Sequence, residues 1–93
     1  MADPLNPDAV QACLEGFVGW HGTISAISKT YRFDDAASAE AFLTRVSTLA
    51  DDLNHHPDVT RTGDHVTLTL VTHSAGGVTQ LDFDLAERID AET

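Results

Sequence analysis

Four of the five histidines lie within one 25-residue segment, 53–77. His55 and His56 are adjacent and stand directly before Pro57, and His73 follows an alternating stretch of the same segment. An unperturbed imidazole has a pKa of about 6.5, so it can donate or accept a proton near neutral pH. The three histidines are therefore candidates for acid–base catalysis.

The elements around the histidines decide whether they can meet. Proline disfavours helical geometry in the residue before it, so Pro57 predicts that a long helix ends near Asn54, with the adjacent histidines at its exit. If the strand after Pro57 pairs with the strand that leads to His73, the imidazoles can approach one cleft. The alternative is that His55 and His56 merely end the helix, where a cation near its C-terminal dipole is favourable, and that His73 lies on a solvated face.

A metal site is another interpretation of the same residue types, because three histidines and an aspartate are chemically suitable ligands. Adjacent histidines seldom direct their lone pairs to one ion, and the sequence has no H-x-x-x-H or C-x-x-C spacing. We therefore predict no metal at the site.

The remaining candidate residues are predicted to have no catalytic role. Cys13 falls on an apolar helical stripe and is predicted to be a core residue rather than a nucleophile. His21 and His65 are predicted to be surface residues without supporting neighbours.

Charge and length limit the classes of partner. Fifteen acidic residues against five basic ones give a formal net charge of −10, which repels phosphate backbones and anionic membranes. The 93 residues predict one domain, 1–93, with a small core that oligomerisation could supplement. No apolar run approaches the roughly 20 residues of a transmembrane helix, and the start of the sequence lacks the pattern of a secretion signal. We predict a soluble, cytoplasmic protein with no nucleic-acid or membrane partner.

The first half of the chain predicts a helix and a hairpin. Asn6 can cap a helix that has Pro7 in its first turn and Gly16 just past its end. A strand at Trp20 and a turn near Ser25 then predict the start of a hairpin. Its second strand is predicted to carry three apolar residues on one face: Ile27, Tyr31 and Phe33.

The second helix is the clearest element. Asp34 or Asp35 can cap it. Apolar residues then recur at helical spacing over four turns, namely Ala39, Phe42, Leu43, Val46, Leu49, Ala50 and Leu53. This stripe predicts a helix packed along one side.

A second hairpin and a last helix complete the pattern. A strand from about Val59 turns near Gly63 and returns as HVTLTLVTH. Alternation places Val66, Leu68 and Leu70 on one face of the returning strand and Thr67, Thr69, Val71 and His73 on the other. Thr79 and Asp82 then predict a capping box that opens the last helix, with Val78 packed against Phe83.

The order αββαββα predicts an α+β fold, with a four-stranded antiparallel sheet and helices packed on one face. The second sheet face carries alternating threonines with Val71 among them. That face could be solvated, or it could meet a partner subunit.

Several of these residues resemble a known family. Asp51, the His-His-Pro run at 55–57, the segment VTLTLVTHSAGGVT and Asp82 with DFDLAERID closely resemble the pterin-4a-carbinolamine dehydratase (4a-hydroxytetrahydrobiopterin dehydratase) family. The similarity runs over about 20–89, which is most of the chain. The resemblance implies an α+β sheet with helices on one side, homodimers that continue the sheet across subunits, and often tetramers made of two dimers.

The resemblance also implies an activity, the dehydration of 4a-hydroxytetrahydropterin to quinonoid dihydropterin and water, which recycles the cofactor of aromatic amino acid hydroxylases. One acid protonates the leaving 4a-hydroxyl and one base takes the N5 proton, with no metal or organic cofactor. By the resemblance, His55 and His73 are the acid and the base in an order left open, and His56 orients the substrate or assists. The substrate-binding residues carry over as Asp82, Asp51 and Pro57. Asp82 could also hold an imidazole in its useful tautomer while it caps the last helix.

Two positions depart from the family pattern. The family usually has an aromatic residue at the position of Gly63, and many members have another at the position of Val59. A planar pterin gains affinity by stacking on rings, so these departures bear on pocket shape and substrate.

Relatives of this fold also act as non-catalytic partners, including a transcription-factor dimerisation cofactor and an assembly factor for the carbon-fixing enzyme. The alternative function is therefore a binding or assembly module with a protein partner.

Overall fold

The computed structural model describes residues 3–93. Met1 and Ala2, which belong to the predicted domain 1–93 and to the start of the sequence, lie outside the described residues. Within that range the elements are α1 (Pro7–Glu15), β1 (His21–Gly22), β2 (Ile27–Arg32), α2 (Ala36–Leu53), β3 (Asp58–Thr62), β4 (His65–Leu70) and α3 (Gln80–Asp90). A 3₁₀ turn, His73–Ala75, separates β4 from α3. The predicted order αββαββα is confirmed.

Capping residues fix the ends of the long helix. Asp35 is the N-cap of α2, because its side chain accepts a hydrogen bond from the Ser38 N–H, and this bond lowers the pKa of the Asp35 carboxyl. At the other end Asn54 adopts a left-handed conformation, with φ 52° and ψ 42°, which asparagine tolerates better than most residues. The His55 N–H then donates to the Ala50 carbonyl at 3.0 Å. The helix therefore ends directly before the histidine pair, as predicted.

The four strands form an antiparallel sheet in the order β1-β2-β4-β3. Directly opposite residues of an antiparallel pair share a sheet face, so the register Tyr31↔Val66 and Val59↔Leu68 places these four on one face. The opposite face is polar, and there the hydroxyls of two threonines, Thr30 and Thr67, lie 2.8 Å apart. The returning strand β4 alternates as predicted, with buried residues on the first face.

The helices cover that first face. Val66, Leu68 and Leu70 of β4 belong to the same buried cluster as Val10 of α1, Phe42 of α2 and Phe83 of α3. Because the three β4 residues share one sheet face, the helices pack on that face and leave the threonine face outward. The α+β class is confirmed.

Three local predictions are wrong. β4 ends at Leu70 rather than His73, because Leu70 pairs with Ile27, the first residue of β2, and beyond it residues 3–93 provide only an isolated bridge between Thr72 and Gly77. Trp20 is not in a strand, because its N–H donates to the Phe17 carbonyl in a turn before β1. Leu53, predicted to lie on the apolar stripe of the second helix, is exposed at the last turn of that helix.

The β3–β4 connection is a tight two-residue loop, since Thr62 pairs with His65. Gly63, the first loop residue, has φ 61°, and Asp64 has no positive φ. A two-residue hairpin loop with glycine first is the type II′ arrangement, whose twist matches that of the flanking strands. The backbone thus favours glycine at the position where the family pattern has an aromatic residue.

No helix among residues 3–93 is both long enough and apolar enough to span a bilayer.

Candidate active site

His55 and Asp82 form the most enclosed pair of the predicted site. His55 follows the end of α2, and Asp82 is the third residue of α3. The His55 Nε2 atom lies 2.5 Å from Asp82 Oδ1, and the two side chains are 14% and 0% exposed. Burial strengthens a charge-assisted hydrogen bond, because water competes for it less. Asp82 is therefore placed to orient the imidazole.

The second carboxylate oxygen of Asp82 is also fully engaged. Asp82 Oδ2 accepts from the Thr79 N–H at 2.9 Å, which is half of the predicted capping box. It also accepts from the Thr72 hydroxyl at 2.9 Å, and the Thr72 and Thr79 hydroxyls lie 2.7 Å apart. Capping the helix and holding the histidine are thus done by different oxygens of one carboxylate.

His56 lies on a more open surface than its neighbour. Its Nε2 lies 2.8 Å from Asp51 Oδ1, and both side chains are more than half exposed. With Pro57 it borders an apolar groove of about 250 Å³ between α2 and β3. The groove is lined by Leu43, Val46, Ser47, Ala50, His56, Pro57 and Val59. The two adjacent histidines therefore have separate partners.

His73 lies at the start of the 3₁₀ turn and is 78% exposed. Its Nε2 is 3.9 Å from Asp58 Oδ2, at the first residue of β3. This contact joins the chain after β4 to the chain after α2. His73 is also adjacent in sequence to Thr72, which touches Asp82.

The structure therefore brings the chain around His55 and the chain around His73 together through Asp82, Thr72 and Asp58. Within residues 3–93, no hydrogen bond joins His55, His56 and His73 directly to one another. Sequence reasoning missed Thr72 as part of this site. The signal was available, because the alternation that buries Val66, Leu68 and Leu70 also puts position 72 on the buried face.

Other candidate residues lie outside this network. Cys13 is partly buried against the core, as predicted, and His21 is exposed. His65 was expected to have no supporting neighbour, but its Nδ1 contacts the Asp64 carboxylate at the hairpin turn. In the part of the chain that the structure describes, no three histidine, cysteine, aspartate or glutamate side chains converge as a metal site would require.

The far end of α3 is anchored separately. Asp90, its last residue, accepts hydrogen bonds from Trp20 Nε1 at 3.0 Å, Lys29 Nζ at 2.9 Å and the Tyr31 hydroxyl at 2.5 Å. Burial alone would raise the pKa of the Asp90 carboxyl, but the bonds from Tyr31, Lys29 and Trp20 outweigh it and hold that pKa below its usual value. Burial, reinforced by the bond to Asp90, raises the pKa of the Tyr31 phenol. These contacts tie the helix that carries Asp82 to β2.

Comparison with known proteins identifies the family. The family model described as pterin 4 alpha carbinolamine dehydratase matches residues 3–92. The chain belongs to the pterin-4a-carbinolamine dehydratase family. The resemblance carried by the histidine motif is confirmed, and the match also includes α1, which precedes the predicted similar segment 20–89.

Curated relatives cover nearly the whole chain. A protein of Rhizobium etli, provisionally named pterin-4-alpha-carbinolamine dehydratase, is 41% identical over 91 residues, covering 96% of this chain and 90% of its own length. A protein of Sulfurisphaera tokodaii with the same provisional name is 46% identical over 86 residues, covering 92% of each. Membership of the family thus rests on full-length similarity.

Solved structures show the same fold. The crystal structure of a transcriptional coactivator/pterin dehydratase from Brucella melitensis matches with a TM-score of 0.92 and 30% identity, covering 97% of this chain and 98% of that one. A pterin dehydratase-like protein identified as a RuBisCO assembly factor in the alpha-carboxysome matches with a TM-score of 0.65 and 24% identity, covering 78% and 84%. The second likeness concerns the fold alone.

Proposed function

We propose that this chain dehydrates a 4a-hydroxytetrahydropterin to the quinonoid dihydropterin and water, and so recycles a pterin cofactor in the cytoplasm. The observation that carries the proposal is the His55–Asp82 contact, in which a largely buried imidazole lies 2.5 Å from a fully buried carboxylate. A group held in this way is pre-oriented for proton transfer. Membership of the dehydratase family supports the same reaction.

The reaction needs two proton transfers. An acid protonates the 4a-hydroxyl so that it leaves as water, and a base takes the N5 proton so that the new double bond can form. We assign these steps to His55 and His73, because their chain segments meet through Thr72 and Asp58. We propose that the substrate is oriented by three residues at the C-terminal end of α2 and just after it: Asp51, His56 and Pro57.

The direct test is turnover of synthetic 4a-hydroxytetrahydropterin by the purified wild-type protein and by single variants. A positioned acid or base contributes about 10²- to 10⁴-fold in rate, so His55→Ala and His73→Ala should each lower turnover by about that factor. His65→Ala is the matched control, because His65 also contacts an aspartate but lies at the β3–β4 turn. Turnover of the control should stay near the wild-type value. A chelator should leave the turnover of the wild-type protein unchanged.

The double variant separates a shared proton path from two independent effects. If His55 and His73 act on one substrate, the double substitution should cost much less than the product of the two single losses. Unchanged turnover in both single variants would contradict the assignment of His55 and His73 as the acid and the base. A folded wild-type protein without turnover would contradict the enzymatic proposal.

A binding or assembly role is the second candidate, favoured by the exposed edge of the sheet. All five residues of β3 are exposed, and β3 pairs with β4 on one side. Val59 of this strand is 47% exposed and borders the apolar groove on α2. An unpaired edge beside an apolar surface can accept another chain. We propose that the edge strand β3 binds a second copy of the chain, giving a homodimer or a dimer of dimers, or that it binds a protein partner.

Light scattering tests this second candidate. The wild-type protein should exceed the 10.0 kDa mass of one chain at micromolar concentration. Val59→Glu should lower the measured mass, whereas Val18→Glu, at a residue that is 86% exposed outside the strands and helices, should leave it unchanged. A monomeric wild-type protein would contradict the self-association proposal.

A further inference from the structure

The hydrogen bonds around Asp82 have a defined direction. The Thr72 hydroxyl has one hydrogen, which it donates to Asp82 Oδ2 at 2.9 Å. The 2.7 Å contact between the two threonine hydroxyls must therefore use the hydrogen of Thr79, with Thr72 as acceptor. Thr79 Oγ1 in turn accepts from the Leu81 N–H at 3.2 Å. The chain of donors runs from the helix backbone through both threonines to the carboxylate.

This direction limits the proton arrangement of His55. Two donors, the Thr72 hydroxyl and the Thr79 N–H, already occupy Oδ2, and Oδ1 faces Nε2 of the imidazole at 2.5 Å. An ionised carboxylate only accepts hydrogen bonds, so a neutral His55 facing it must carry its proton on Nε2. The lone pair is then on Nδ1, which makes no hydrogen bond within residues 3–93.

We propose that Thr72 is a positioning residue that, together with Thr79, fixes the Asp82 carboxylate, and that the carboxylate holds the neutral His55 ring as the Nε2–H tautomer. Nδ1 is then the ring nitrogen that accepts a proton from the substrate. This last step rests on the proposed dehydratase function, whereas the tautomer does not. All three side chains of the support, Thr72, Thr79 and Asp82, are buried, so bulk water does not compete with the threonine hydroxyls for the carboxylate.

The tautomer can be read directly by long-range ¹H–¹⁵N correlation NMR of ¹⁵N-histidine-labelled protein, at about pH 8, where an ordinary imidazole is neutral. The wild-type spectrum should show His55 protonated on Nε2. Thr72→Val keeps the side-chain shape but removes one of the two donors that hold Asp82 Oδ2, so the carboxylate can turn away from Nε2 and a fraction of the His55 rings should move to the Nδ1–H form. With the proposed activity, kcat should fall about tenfold with little change in KM, as expected for losing a hydrogen bond to a charged group.

Two further variants distinguish this role from a structural one. Thr72→Ser retains the hydroxyl and should restore both the wild-type tautomer and kcat to within about twofold. Thr67→Val removes a strand hydroxyl on the outward face, whose partner is Thr30, and should change neither measurement.

The two readouts fail separately. A wild-type His55 protonated on Nδ1 would overturn the proposal, and so would a folded Thr72→Val protein with wild-type tautomer, whatever its kcat. If Thr72→Val does not fold, the wild-type spectrum and Thr72→Ser still decide, because loss of the Nε2–H form in the serine variant contradicts the role of the hydroxyl. If the tautomers behave as expected but the wild-type protein has no turnover, the dehydratase function fails and the network stands.

Discussion

Replacement of Asp90 tests how strongly the far end of α3 is held. Asp90→Ala removes the acceptor for Trp20, Lys29 and Tyr31 at once. Hydrogen bonds to charged groups contribute about 1.5–3 kcal/mol each when buried. Asp90 is 30% exposed and Lys29 can rehydrate, so we take about 1 kcal/mol for each contact. The free energy of unfolding should fall by about 2–4 kcal/mol in total.

Thermal unfolding followed by circular dichroism measures this loss. For a domain of this size, 1 kcal/mol corresponds to about 4–8 °C, so the Tm of Asp90→Ala should fall by about 8–32 °C. Protein concentration must be equal in all samples, because self-association would shift the Tm. Asp84→Ala is the control, since Asp84 is an exposed residue of the same helix that accepts from Gln80. It should change the free energy by less than about 0.5 kcal/mol.

The pH dependence gives a second check on the same contacts. The folded-state pKa of Asp90 lies below its usual value, so its contribution is present above the unfolded pKa of about 3.9 and is lost as the pH falls through the folded pKa. The unfolding free energies of wild type and Asp90→Ala should therefore converge in acid. A Tm of Asp90→Ala equal to that of wild type at pH 7 would refute the anchoring role. A difference that stayed constant into strong acid would show that ionised Asp90 is not its source.

Three further predictions concern the site, the buried phenol and the oligomer. Asp82→Asn should place an amide N–H opposite His55 Nε2, force the other tautomer and lower dehydration about 10²- to 10⁴-fold, measured by turnover; an unchanged rate would contradict the orienting role. The raised pKa of Tyr31 means that its contribution is present below about pH 10 and is lost as the pH rises through the folded pKa, so denaturant midpoints should fall in alkali, and less so for Tyr31→Phe. His55→Ala and His73→Ala should keep the wild-type oligomer mass by light scattering, because neither side chain lies in the exposed strand β3; a changed mass would link the site to the interface.

Local patterns in the sequence determined most of the elements. The cap at Asn6, the stripe through Phe42 and Val46, and the capping box of Thr79 and Asp82 each act within a few residues. Such signals depend on hydrogen bonds and periodicity along the chain, which the sequence displays directly. The order αββαββα and the α+β class follow from them, and the histidine motif by itself indicates the family.

Strand ends were less predictable, because a strand ends where its neighbour does. The alternation HVTLTLVTH predicted a strand as far as His73, yet the ladder stops at Leu70 opposite Ile27. The buried indole of Trp20 is likewise explained by Asp90, which lies 70 residues away in sequence. Neither partner can be read from a local pattern.

The candidate site shows the same division. The sequence by itself determined which residue types are available and, through Pro57 and Asn54, that His55 follows the end of a helix. The sequence also indicated that Asp82 could hold an imidazole, but only the tertiary structure decided that this imidazole is His55, while its neighbour His56 faces Asp51. The tertiary structure also placed Thr72 against the carboxylate. The physical reason is that these contacts depend on how α2, β4 and α3 pack around one core, and a hydrogen bond requires a distance that sequence spacing does not specify.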